Sequence, residues 1–141
     1  MPAADITLVN LNMLFMRYGE EIERELHVPL GCLYLTRALE DAGWRVEVAE
    51  DGIAALGRIS RVHPDVVLMD LGMPNLDGGT ALEILRARGA EGRVPVIVTT
   101  GARVDASVRR LADRVLEKPF DRKDLLEAVS SAAGVTRSRR R

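Results

Sequence analysis

Asp70, Thr100 and Lys118 each follow an apolar run rich in β-branched and aliphatic residues, and Asn10 follows a fourth such run nearer the start of the chain. A carboxylate, a hydroxyl and an ammonium brought to one edge suit phosphoryl transfer. The carboxylate can attack phosphorus, the hydroxyl and ammonium can hold phosphoryl oxygens, and a divalent cation would offset the charge. Taken singly, a threonine at a strand end is ordinary, and a lysine before a proline is commonly just solvated. It is their company with Asp70 that makes them candidates.

The elements that would position these groups alternate along the chain. Apolar runs at Ile6–Val9, Arg45–Ala49, Val66–Met69 and Val94–Thr99 read as strands, and Val115–Leu116 reads as the core of a short fifth. Helical spacing covers Leu30–Ala42, stopping at Gly43; Ile53–Val62, after the Asp51-Gly52 turn; Thr80–Arg88, before Gly89; and Asp105–Ala112. A last helix starts at Asp121, a predicted N-cap with Asp124 at the third helical position, and Phe120 and Leu125 flank the cap as a hydrophobic staple. Strands that are uniformly apolar, each followed by a helix, predict an α/β fold with a doubly wound five-stranded parallel sheet covered on both faces. Chemistry in such sheets gathers beyond the carboxyl ends of the strands, which is where Asn10, Asp70, Thr100 and Lys118 fall.

The stretch Pro64-Asp-Val-Val-Leu-Met-Asp70-Leu-Gly-Met-Pro-Asn-Leu-Asp-Gly78 resembles the phosphoacceptor strand and following loop of response-regulator receivers. Pro95-Val-Ile-Val-Thr-Thr100-Gly resembles the fourth strand of that family with its hydroxyl residue, Leu116-Glu-Lys-Pro-Phe120 its lysine followed by proline, and Glu47-Val-Ala-Glu-Asp-Gly52 its second strand and turn. The resemblance runs from about Glu40 to Ala132 and implies the flavodoxin-like strand order 2-1-3-4-5. It implies further that Asp70 accepts phosphate from a histidine kinase, a phosphotransfer protein or a small phosphodonor. Thr100 would then bond a phosphoryl oxygen, Lys118 would pair with the phosphate, and Lys118-Pro119 would be cis.

Three departures accompany the resemblance. Receivers carry two adjacent acidic residues after the first strand to hold Mg2+, whereas this chain has Asn10-Leu11-Asn12. Two arrangements follow: a weak Mg2+ site built from Asp70, Asn10 and a backbone carbonyl near Gly72, or a standing Lys118–Asp70 ion pair without metal. Val115 occupies the place of the family's switch aromatic on the fifth strand, and the stretch from Thr100 to Lys118 is shorter than the family norm by about one helical turn. Finally, about fifteen extra residues separate the first strand from its helix, a length of loop that is either functional or a floppy insertion. This inserted segment, 11–29, joins apolar Met13-Leu-Phe-Met16 to acidic Glu20-Glu-Ile-Glu-Arg-Glu25 and could cover the carboxyl-end crevice. Over the first third of the chain, Ile6–Asn10, Val28–Leu35 and Ala38–Gly43 are also similar to the cobalamin-binding domains of certain radical enzymes, without their Asp-x-His-x-x-Gly signature.

With 141 residues, 47% of them hydrophobic, the chain has the size of one domain and one core. The expected organisation is a receiver-like domain over 1–134 and a basic, disordered tail over 135–141. Twenty basic and 21 acidic side chains leave a net charge of -1, so no overall field draws the molecule to nucleic acid or to a membrane. The single cysteine, Cys32, and the absence of a signal-like start point to a reduced, cytoplasmic setting. His27 and His63 lack the spacing of metal ligands, and no phosphate-binding glycine loop or nucleophile elbow occurs, so a self-standing enzyme is not expected. Three functions stay open: a single-domain receiver in two-component signalling phosphorylated on Asp70, a phosphorylation-independent pseudo-receiver, and a small-ligand sensor of cobalamin type. For the first two, the message would pass to a downstream protein partner.

Overall fold

The computed structural model describes residues 5–9, 30–49, 51–71, 78–89, 93–101 and 103–140. Strand and helix alternate throughout: β1 (Asp5–Val9), α1 (Leu30–Asp41), β2 (Arg45–Ala49), α2 (Gly52–Val62), β3 (Val66–Asp70), α3 (Gly78–Arg86), β4 (Val96–Thr100), α4 (Ala106–Leu111), β5 (Arg114–Glu117) and α5 (Arg122–Arg140). The strands form one parallel sheet in the order β2-β1-β3-β4-β5, the doubly wound order expected from the sequence.

Burial explains the strand patterns. β3 and β4, inside the sheet and covered on both faces, are buried at every position, so both need unbroken apolar runs. The edge strand β5 buries only Leu116 fully and leaves Arg114 and Glu117 exposed. One face of the sheet packs Val67, Met69, Val96 and Val98 against α2, α3 and α4 through Ile59, Leu82, Leu85 and Val108. On the opposite face, Val66, Leu68, Ile97 and Leu116 meet Leu35 and Leu39 of α1 and Leu125 and Val129 of α5.

Caps set the helix boundaries. Asp51 accepts the Ala54 N–H at 2.8 Å and starts α2, and Asp121 accepts the Asp124 N–H at 2.8 Å and starts α5. Leu125 is fully buried and Phe120 packs against the same cluster, as the staple requires. Asp105 is a cap rather than a helical residue, which trims α4 to six residues. After α1 the chain turns through Gly43 at φ +95°, a conformation open to glycine and costly for other residues.

The carboxyl terminus departs from expectation. Helix α5 continues to Arg140, so the backbone of 135–140 is helical where a disordered tail was expected. The inserted segment 11–29 lies outside the described residues. Among the described residues, no helix is long and apolar enough to cross a membrane.

Candidate phosphoacceptor site

Asp70 ends β3 beneath the carboxyl edge of the sheet, with only 3% of its side chain exposed. The backbone folds back over it immediately. The Leu71 N–H donates to the Thr99 carbonyl at 3.4 Å, and the Gly78 N–H donates to the Leu71 carbonyl at 3.3 Å. Gly78 stands so close that a Cβ there would lie 2.7 Å from the Asp70 carbonyl oxygen and 2.9 Å from the Leu71 Cα. Glycine is therefore a steric requirement for starting α3 against the end of β3.

Lys118 arrives from the next strand but one. Its backbone N–H donates to the Thr100 carbonyl at 2.7 Å, tying the end of β5 to the end of β4, and the Lys118-Pro119 bond is cis. From there Nζ donates to Asp70 Oδ2 at 2.5 Å, with 22% of the lysine side chain exposed. A carboxylate this deep needs a compensating charge, and the ammonium supplies it. Lys118 and Asp70 thus form an ion pair in the structure.

Thr100, the last residue of β4, is 4% exposed. It stands one residue beyond Thr99, the register partner of Asp70. The structure thus joins Asp70 to Lys118 by direct contact and Thr100 to Lys118 through the backbone. Asn10 and Gly72, the other two candidates from the sequence, lie outside the described residues.

The sequence reading passed over Thr99. Alternation along β4 puts it on the face of Ile97, the α1 and α5 side, flanked by Asp70 on β3 and Leu116 on β5. It is fully buried, and its Oγ1 has no hydrogen-bond partner among the described residues. The signal was available: two threonines in succession put one hydroxyl on each face of a strand, and period-two alternation decides which of them shares a face with Asp70.

A divalent cation fits the described residues poorly. They contain no group of three histidine, cysteine or acidic side chains able to hold a metal, and the one carboxylate at the site already carries an ammonium. The exposed His63 belongs to no such group. Val115 is half-buried and packs, with Leu111 and Ala112, against the cluster of Val98 and Val108. Aliphatic side chains thus surround the position where an aromatic was absent from the sequence.

A carboxylate at the end of the third strand, held by a lysine that precedes a cis-proline after the fifth, is accompanied by sequence similarity to one family. Residues 29–130 match the model of the response regulator receiver domain. The chain belongs to the response regulator receiver family. Receivers similar to it include that of the response regulator MprA of Mycobacterium leprae, 38% identical over 100 residues, which cover 67% of this chain and 42% of the relative. The regulatory protein AtoC of Escherichia coli is 41% identical over 103 residues, covering 70% of this chain and 22% of the relative. The chain thus spans less than half the length of these curated relatives.

Solved receivers agree over nearly the whole chain. The receiver domain of the sensor histidine kinase PA1611 of Pseudomonas aeruginosa, which has a magnesium ion coordinated in its active-site cleft, superposes with a TM-score of 0.69 at 26% identity, covering 94% of this chain and 98% of that one. A CheY-like receiver of Methanospirillum hungatei shares the fold at 19% identity, with a TM-score of 0.75 and coverage of 97% and 98%.

Proposed function

We propose that this receiver works in two-component signalling with Asp70 as its phosphoacceptor. One carboxylate oxygen of Asp70 attacks the phosphorus of a phosphohistidine on a histidine kinase or phosphotransfer protein, or of a small acyl phosphate. The bond from phosphorus to the donor's nitrogen or oxygen breaks, and its electron pair leaves with the imidazole, which takes up a proton, or with the donor's carboxylate. Lys118 then pairs with the phosphoryl group, and the Thr100 hydroxyl donates to one of its oxygens. The domain performs this transfer on itself, is no enzyme toward other substrates, and signals in the cytoplasm by contact with a downstream protein.

The observation that carries this reading is the 2.5 Å contact between Lys118 Nζ and Asp70 Oδ2 at the buried end of β3. The residue types after β1 bear on the cation. With Asn10-Leu11-Asn12 in place of paired acids, the proposal gives magnesium at most a weak hold and routes no step through it. The same contact favours a second reading, a phosphorylation-independent interaction module in which the pair is permanent.

Intact mass after incubation with a small acyl phosphate and magnesium separates the two. The phosphoacceptor reading expects a gain of one phosphoryl group, abolished in Asp70→Ala. Folded wild-type protein that gains nothing leaves the interaction module.

A further inference from the structure

We infer that phosphoryl transfer to Asp70 needs no divalent cation, the Lys118 ammonium supplying the positive charge at the acceptor. The inference rests on the reading of Asp70 as phosphoacceptor, and it sets this chain apart from the PA1611 receiver, whose cleft coordinates magnesium.

The chemistry of the donor set leads to it. Magnesium takes hard oxygen ligands in a near-octahedral arrangement and is held by one or two carboxylates together with water and phosphate. The described residues contain no group of three acidic, histidine or cysteine side chains that could take it. Strand β1 ends at Val9, the register partner of Met69, and the sequence continues as Asn10-Leu11-Asn12 with no acidic side chain before Glu20. Asp70 has 3% of its side chain exposed, and its Oδ2 meets the Lys118 ammonium at 2.5 Å. A divalent cation on this carboxylate would face a like charge at ion-pair range.

Charge counting points the same way. A carboxylate acceptor with a pair of further acids, an ammonium and a divalent cation sums to zero, and so does the Asp70 carboxylate with the Lys118 ammonium. Losing the acids together with the cation that they hold therefore leaves unchanged the charge that an anionic phosphodonor meets, whereas losing the acids alone would leave the site strongly positive. In the transfer itself, an Asp70 oxygen bonds to phosphorus, the bond from phosphorus to the acetate oxygen of acetyl phosphate breaks, and acetate leaves with the electron pair. No proton or electron is needed to balance the step. Lys118 Nζ follows the negative charge from the carboxylate to the phosphoryl group.

The test measures the initial rate of phosphorylation by acetyl phosphate, followed by intact mass, in EDTA and in magnesium chloride at matched ionic strength. Calorimetric titration of magnesium into the unphosphorylated protein gives a reading that does not depend on transfer. Wild type is expected to react at the same rate in both media, within about twofold, and to give no saturable heat. Asn10→Asp combined with Leu11→Asp restores a pair of acids, so that variant should bind magnesium, slow by about tenfold or more in EDTA and recover when magnesium is added. Lys118→Gln, shown to be folded by circular dichroism, should slow the reaction in EDTA by about a hundredfold. A wild-type rate that falls about tenfold or more in EDTA overturns the inference and leaves Asp70 as the acceptor. So does saturable magnesium binding by the resting wild type, or a folded Lys118→Gln that reacts at the wild-type rate. The wild-type measurements decide the matter even where the double variant does not fold. Wild-type protein that takes no phosphoryl group in either medium overturns the Asp70 reading and this inference with it.

Discussion

The two ends of the sheet use buried charge in opposite ways. At the amino end of β4, Arg86 engages all three nitrogens of its guanidinium: Nε donates to the Leu111 carbonyl at 2.9 Å, Nη1 to the Val94 carbonyl at 2.7 Å and Nη2 to Asp113 Oδ2 at 2.7 Å. Asp113 Oδ2 also accepts the Val96 N–H at 2.8 Å, and the Asp113 N–H returns to the Val96 carbonyl at 3.0 Å. One planar fork thereby fixes the end of α3, the end of α4 and the starts of β4 and β5, which suits arginine and not lysine. At the carboxyl end, the Lys118 ammonium meets Asp70 Oδ2, and the Thr99 hydroxyl has no hydrogen-bond partner among the described residues. The first end is a joint with its bonds satisfied. The second keeps one buried hydroxyl, that of Thr99, unbonded beside a charged pair.

The largest way to break this contrast is to disturb the backbone on which the reactive end is built. Gly78→Ala sets a Cβ against the Asp70 carbonyl and the Leu71 Cα, both of them backbone atoms that no side-chain rotation can move aside. A loss of about 3 kcal/mol in denaturant unfolding is expected, accompanied by loss of phosphorylation. A folded Gly78→Ala protein of wild-type stability would mean that α3 can start elsewhere.

Next in size is the joint. Arg86→Ala leaves the Leu111 and Val94 carbonyls and Asp113 to find other partners, and should cost about 2–3 kcal/mol while leaving the phosphorylation rate of the folded fraction unchanged. A variant that kept its stability but phosphorylated poorly would show that the two ends are coupled. Asp70→Asn probes the charged pair itself. The ion pair becomes a neutral hydrogen bond beside a partly buried ammonium, so without magnesium the variant should lose about 1–2 kcal/mol. Thermal melts would check it, and a stabilised variant would refute a standing pair, because relief of crowded negative charge would then be the dominant effect.

The legibility of these features in the sequence followed from how local their causes are. Unbroken apolar runs and the caps Asp51 and Asp121 act over a few residues, so the five strands and the starts of α2 and α5 could be read directly. Asp70 and Lys118 were found because a parallel sheet sends every strand end to one edge, and 48 intervening residues do not blur that rule. Arg86 was not found. Its three partners lie on segments whose spacing is set by tertiary packing, and an arginine near a helix end reads equally well as a solvated cation. His63 escaped for a related reason: it closes α2 in the left-handed region at φ 51°, where sequence rules look for glycine. The hidden feature of Thr99 was not its position but its missing partner, which only a packed interior can disclose.

The smallest effect concerns α4, the element that reaches from one end of the sheet to the other. Its carboxyl end is held by Arg86 through the Leu111 carbonyl, whereas its amino end depends on Asp105, whose Oδ1 accepts the Ser107 hydroxyl at 2.5 Å and the Val108 N–H at 3.0 Å. The Ser107 bond first, and the Val108 bond next, hold the Asp105 carboxyl below the usual carboxylate range. A folded-state pKa below the unfolded one means that the cap contributes fully above the unfolded value and is lost as the pH falls through the folded value. Acid should therefore loosen the first turn of α4 and leave the turn held by Arg86 in place. Amide exchange resolves the two: the Val108 N–H should lose protection at low pH before the Ala112 N–H, which bonds the Val108 carbonyl at 2.8 Å. Asp105→Asn should remove that pH dependence of Val108 protection. Simultaneous loss at both amides would mean that α4 opens as one unit and that the joint at Arg86 does not anchor it.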